Sequence, residues 1–229
     1  MQGLDERLAA VAAFVPLGAR LADIGADHAK LPLALAAKEK IARAIAVDVN
    51  EGPFEAARRA VRAAGMAQLV EVRLGDGLAA LAPGEVDAVA VAGMGGSSIT
   101  RILADGAAVL QAVETLVLQP QGNAAELRAW LYDNGWHIAE ESLVRAGGRL
   151  YEVLLARRGK KEKPEPVLLA IGPRLWQEKP PLLKKHIEGL LFRVRRARAG
   201  MEKSARARDG AAYRALGEKI AALEEKLIW

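Results

Sequence analysis

The chain contains no cysteine in 229 residues, which excludes disulfides, thiolate metal sites and a cysteine nucleophile together. Aromatic residues are scarce at 4%, against 52% hydrophobic residues in all. The interior is therefore expected to be aliphatic and close-packed, as in a sheet covered by helices. Only three histidines occur. His28, His137 and His186 offer no metal-ligand spacing, so no metal is expected. No window gives about 18 uninterrupted apolar positions, and the opening Met1-Gln2-Gly3-Leu4-Asp5-Glu6-Arg7 carries acids where a secretory leader has only basic residues. The expectation is a soluble, unprocessed protein of the reducing cytoplasm with no membrane partner.

What is present is unevenly distributed. Residues 1–159 hold 16 Lys+Arg against 19 Asp+Glu, whereas residues 160–229 hold 17 against 9. A chain of this length suits one α/β domain with a small appendage. The charge division predicts a neutral-to-acidic catalytic body over 1–159 and a basic, polyanion-binding appendage over 160–229. A merely solvated helical surface is the alternative.

Leu4, Leu8, Val11 and Val15 recur at helical spacing, closed by Pro16 and Gly18. Apolar runs suited to buried parallel strands follow at Arg20–Ile24, Ala42–Val47, Leu69–Leu74, Val86–Ala92 and Thr115–Leu118, each before a helical segment. That alternation predicts a doubly wound, Rossmann-like parallel sheet. Trp136–Val144 and Leu150–Ala156 flank Gly147-Gly148 and predict a terminal antiparallel hairpin. Beyond a linker at Arg157–Pro166, two seams are expected to pair as an antiparallel coiled-coil-like appendage. Leu183, Ile187, Leu190, Val194, Ala197 and Met201 form one, and Tyr213, Leu216, Ile220, Leu223 and Leu227 the other.

Ligands of doubly wound sheets lie at the carboxyl ends of the strands. The first strand ends in Asp23-Ile24-Gly25-Ala26-Asp27-His28, where Gly25 admits close backbone approach and Asp23 can accept a hydrogen bond from an amine. The second ends in Asp48, 23 positions after Gly25, near the spacing from which a carboxylate takes the hydroxyls of an adenosine ribose. Gly75-Asp76-Gly77 could receive the adenine amino group, with an Asx-type turn as the rival. Ala92-Gly93-Met94-Gly95-Gly96-Ser97 permits close approach to a substrate, although Met94 could equally fill the core. A second glycine for pyrophosphate is missing after Gly25, and acids at positions 23, 27, 48 and 76 would repel phosphate. A phosphate-free sulfonium cofactor tolerates them.

The strings LADIGADHAKLP, NEGPFEAA, VRLGDGL, VAGMGG, LQPQGNAAELRAWL and GGRLYEVL resemble the bacterial tRNA (adenine-N1)-methyltransferases that modify position 22. The likeness runs in order from residue 4 to about 158; the basic helical pair is similar to that family's C-terminal domain in type and charge. It implies a class I methyltransferase fold, S-adenosylmethionine as donor and tRNA as substrate. By motif, Asp23, Gly25, Asp27, His28, Asp48, Asp76 and Gly93 would line the cofactor pocket, joined by Ala26, Val49, Gly75, Gly77, Ala92 and Met94. Asp27, His28, Met94 and Asn123 are the candidate catalytic residues, with helix capping as Asp27's rival role and a structural hydrogen bond as that of His28. Among the amides of Gln119, Gln121 and Asn123, the one that meets substrate stays open. The Asn/Asp-Pro-Pro-aromatic motif of many amino-methylating enzymes is absent at 94–96, which fits a ring nitrogen as target.

Arg193, Arg195, Arg196, Arg198, Lys203, Arg206 and Arg208 form the densest basic run and would grip RNA phosphates. A monomer is expected, with a homodimer through the appendage as alternative. The rival functions are a methyltransferase for another RNA position, a protein or a metabolite, and a non-catalytic RNA-binding protein that keeps its cofactor pocket.

Overall fold

A computed structural model of the chain describes residues 3–202, 208 and 210–228. The chain divides into two compact units, residues 1–163 and 164–229.

In the first unit, α1 (Glu6–Phe14) opens on Asp5, whose carboxylate accepts the Leu8 N–H at 2.7 Å. There follow β1 (Ala19–Ile24), α2 (Lys30–Ala37), β2 (Ile41–Asp48), α3 (Glu51–Ala63) and β3 (Val70–Leu74). A short 3-10 turn at Gly77–Ala80 leads to β4 (Ala88–Met94), α4 (Gly96–Asp105), α5 (Ala107–Leu110), β5 (Thr115–Pro120) and α6 (Ala124–Asp133). The hairpin β6 (Trp136–Ala146) and β7 (Arg149–Arg158) completes a seven-stranded sheet of order β3-β2-β1-β4-β5-β7-β6. Strands β1 to β5 run parallel, and β7 pairs antiparallel with both β5 and β6. The expected doubly wound sheet with a terminal hairpin is therefore the fold.

Each central strand is buried on both faces, as its aliphatic runs require. Ala22, Ile24, Val89 and Val91 point into one core layer with Ile99, Leu103, Leu127 and Trp136, while Leu21, Ala46 and Ala90 point into the other with Val11, Leu31 and Leu35. Chain order reverses between β1 and β4, which fixes the carboxyl ends of those strands as the ligand edge. The register slips between Ala92 and Met94, where Gly93 takes φ +82° and redirects the end of β4.

The hairpin is held by a largely buried ion network. Arg128 on α6 donates to Glu141 on β6 at 2.7 Å and to Glu152 on β7 at 2.5 Å. Burial alone would weaken the guanidinium's charge, but the two carboxylates more than offset it and hold its pKa above the ordinary arginine range.

The second unit contains α7 (Pro166–Ile171), α8 (Pro173–Glu178), α9 (Leu183–Met201) and α10 (Ala211–Glu225). Two differences from the sequence reading arise here. The supposed linker is shorter than expected, because Arg157 and Arg158 complete β7 and Pro166 opens α7. The seam of α9 is also turned: Leu183, Ile187 and Val194 are buried as expected, but His186 and Leu191 join them while Ala197 is exposed. The cause is a packing partner absent from a simple pair. Helix α7 contacts both α9 and α10, so the inward stripe of α9 is broader than a heptad seam. His186 Nε2 lies 3.0 Å from the Ile171 carbonyl, a buried structural hydrogen bond.

Candidate functional site

The ligand edge is built from consecutive strand ends tied by backbone hydrogen bonds. Gly25 N–H and Ala26 N–H donate to the Val47 carbonyl at 2.8 and 3.1 Å, and Gly75 N–H to the Asp48 carbonyl at 2.9 Å. The Asp48 carboxylate accepts the Asn50 N–H at 3.0 Å and the Asp27 N–H at 3.3 Å, so it is held at the end of β2 by its neighbours' main chain. Gly25 has φ +75°, a left-handed conformation that demands glycine. The tip of the Met94 side chain occupies the space a Cβ would take, and that flexible end could move aside.

A cleft of about 310 Å³ opens at β1 and β4. Asp23, Gly25, Ala26, Asp27, His28, Ala92 and Gly93 line it, together with Asp5, Arg7 and Gln121. A larger open groove between α1 and α2, about 1070 Å³, is walled mostly by alanine and leucine and lacks the strand-end acids. The smaller cleft holds the strand-end acids.

Asp23 is the singular group in this cleft. It is buried, faces the opening, and its carboxyl accepts no hydrogen bond from the described residues. Burial, and then the charge of Asp48, push its pKa up to about 7. A carboxyl left without a donor in a ligand-sized space suits an amine or ammonium group. Each Asp48 carboxylate oxygen accepts one backbone N–H and keeps a further lone pair for a hydroxyl, and exposed Val49 and Asp76 stand at the adjoining strand ends. These features fit the amino-acid, ribose and adenine portions of S-adenosylmethionine.

Asp27 and His28 are both exposed, their side chains 3.7 Å apart. Asp27 does not cap α2: the cap position is Ala29, in the left-handed region and without a side-chain capping bond. Met94 is half-buried, packed on the core and over Gly25. Gly77 is buried at φ +55°, and a Cβ there would lie 3.2 Å from Ile102, so both conformation and packing favour glycine.

The three amides diverge. Asn123 donates to Ser97 Oγ at 2.8 Å. Gln119 is fully buried, its Oε1 accepting the Gly93 N–H at 3.1 Å and Arg7 Nη1 at 2.8 Å. Gln121 lines the cleft. Arg7, 112 residues away from Gln119, had no signal in the sequence beyond its place on an amphipathic helix. The β4–α4 and β5–α6 loops join through Gln121 N–H to the Met94 carbonyl and Gly96 N–H to the Gly122 carbonyl, each 2.8 Å.

In the second unit Arg193, Arg195, Arg196 and Arg208 are exposed. Arg195 pairs with Glu224. Arg198 lies 4.4 Å from the Tyr213 ring centroid, between α9 and α10, and its stacking there is structural. Lys203 and Arg206 lie outside the described residues.

A model of the tRNA (adenine(22)-N(1))-methyltransferase family matches residues 21–225. The chain belongs to this family. A Bacillus subtilis tRNA (adenine(22)-N(1))-methyltransferase is 39% identical over 181 residues, 77% of this chain and 76% of that protein. A crystal structure of the B. subtilis tRNA methyltransferase TrmK superposes with a TM-score of 0.91 at 32% identity, covering 99% of this chain and 100% of the other. A Streptococcus pneumoniae protein solved in complex with S-adenosyl-L-methionine has a TM-score of 0.87 at 36% identity, covering 98% and 99%. The similarity to the adenine-22 methyltransferases thus extends through both units, and the resemblance read from ADIGADHA and AGMGG holds. Among the described residues no helix is long and apolar enough to cross a membrane, and no three His, Asp or Glu residues cluster as a metal site.

Proposed function

We propose that this protein transfers a methyl group from S-adenosylmethionine to N1 of adenine 22 in tRNA. The observation that carries the reading is the strand-end edge, where a cleft lined by buried, donorless Asp23 and by two left-handed glycines, Gly25 and Gly93, lies next to the backbone-held carboxylate of Asp48. Family membership supplies the substrate.

When bound, the cofactor offers an electrophilic methyl to the adenine N1 lone pair, and the electrons of the breaking S–C bond pass to sulfur. The chain's own work is positioning and exclusion of water. Asp23 would receive the cofactor's ammonium, Asp48 its ribose hydroxyls and Asp76 its adenine amino group. Gly93, redirected by the bulge and held by Gln119, would bring backbone close to the reacting centre. The methylated ring gains positive charge, and Asp27, at the exposed rim, would stabilise it. Asp27→Ala is expected to lower the maximal rate about 100-fold or more with little change in donor affinity, as loss of one electrostatic stabiliser implies. Weakened donor binding at unchanged maximal rate would restrict Asp27 to cofactor contact.

The target atom lies on the base's pairing edge, so the nucleotide must leave its stack. The basic second unit would grip the surrounding phosphates, with the protein acting as a monomer in the cytoplasm. Incubation with labelled donor and total tRNA, followed by nucleoside mapping, tests the proposal. The expected product is N1-methyladenosine at position 22. Methyl on another nucleotide, a protein or a small molecule would replace the substrate assignment, and binding without transfer would make the protein a non-catalytic RNA binder.

A further inference from the structure

Helix α9 carries Lys184, Lys185, Arg193, Arg195, Arg196 and Arg198 against a single acid, Glu188. In the middle of this basic surface stands Phe192, 67% exposed and the one aromatic side chain classed as exposed among the described residues. The seam does not use it: Leu191 and Val194 turn inward on either side. One turn before Phe192 the position is Gly189, which leaves space beside the ring, and the Arg193 guanidinium reaches within 3.7 Å of where a Gly189 Cβ would stand. Arg193 and Arg196 make no ion pair with the described residues, unlike Arg195 on Glu224. The result is a bare ring that shares its helix face with Glu188 and Arg196, one turn to either side, with Arg193 next in sequence and neither arginine ion-paired among the described residues.

We propose that Phe192, with Arg193 and Arg196, is a stacking platform for an unpaired nucleobase of the RNA substrate. Exposing a phenyl ring to water is unfavourable, and a single ring is too small a patch for a stable protein interface. The surrounding cations would repel a second copy of this basic unit. They suit RNA, whose unpaired bases stack on aromatic side chains and guanidinium planes while phosphates pair with the arginines. The platform reads a base face, so it favours an unpaired loop or bulge over a continuous duplex.

The inference rests on the tRNA reading of the function, and the test separates the two. The full-length chain and its variants are titrated with an in vitro transcript of a tRNA that carries adenine at position 22. Phe192→Ala and Phe192→Leu are expected to weaken tRNA binding about tenfold, the loss of one base–aromatic stack. Phe192→Trp restores it. Donor affinity and circular dichroism remain unchanged in all three. Phe192→Ala leaves the salt dependence of binding as in the wild type, whereas Arg196→Gln lowers its slope by about one. Wild-type affinity in Phe192→Ala, or full rescue by Leu, would overturn the platform. So would a change of sedimentation state in Phe192→Ala with unchanged tRNA affinity, which would make the ring a self-association contact. A wild-type protein that neither binds nor methylates the transcript would instead overturn the tRNA reading itself.

Discussion

Asp23 links local chemistry to a measurable pH dependence. Its pKa is raised to about 7 by burial and by Asp48, from 3.8 in an unfolded chain. Below about pH 7 the folded, ligand-free protein therefore prefers the protonated carboxyl. This group leaves stability unpenalised below the unfolded value, and the penalty grows as pH rises from about 4 to about 7 before levelling. Asp23→Asn is expected to flatten that fall, as thermal melts of ligand-free protein at successive pH values would show. Donor binding runs oppositely, because an ammonium partner favours the ionised carboxylate. Donor affinity should rise up to about tenfold per pH unit below 7 and then plateau; calorimetric titration checks this, and Asp23→Asn should be weak and pH-independent. Asp23, Gly25 and Asp48 were legible because each belongs to a short local motif at a strand end. Arg7 and Gln121 were not: the first reaches the cleft only through folding, and the second was indistinguishable from its neighbouring amides until loop geometry separated them.

Elements were read more accurately than their contacts. All seven strands follow from aliphatic runs and one Gly-Gly turn, because such runs record burial directly. The network of Arg128, Glu141 and Glu152 left no such trace, since isolated charges in amphipathic segments read as solvent-facing. Arg128→Met is expected to destabilise the first unit by about 3–5 kcal/mol, the usual consequence of leaving buried carboxylates uncompensated, and urea denaturation would measure it. The junction of the β4–α4 and β5–α6 loops is similarly intolerant. A Cβ at Gly96 would lie 2.5 Å from the Asn123 carbonyl oxygen and 2.7 Å from that of Gly122. Because both obstacles are backbone, Gly96→Ala should displace the Gln121 loop and lower kcat/KM more than it weakens donor binding; steady-state kinetics and donor titration together distinguish the two effects. The seam of α9 was misread for a related reason: heptad spacing identifies a helix that packs, but not how many partners share its face.

For the whole molecule, the charge division of the sequence persists in its two compact units. The first holds 19 Lys+Arg and 20 Asp+Glu, the second 14 and 8. A chain ending at residue 163 is expected to retain donor affinity and lose most tRNA affinity, with the salt dependence of RNA binding reduced in parallel. Filter binding at several ionic strengths, with donor titration as the folding control, tests this. The unsatisfied carboxyl of Asp23 also reaches beyond catalysis. A ligand that binds only the folded state adds RT ln(1 + [L]/Kd) to stability, and the partner it would bring to Asp23 is one contribution to that Kd. The enzyme's persistence against proteolysis should accordingly follow donor supply, so that a cell short of methyl donor would lose not only the reaction but, with time, the catalyst.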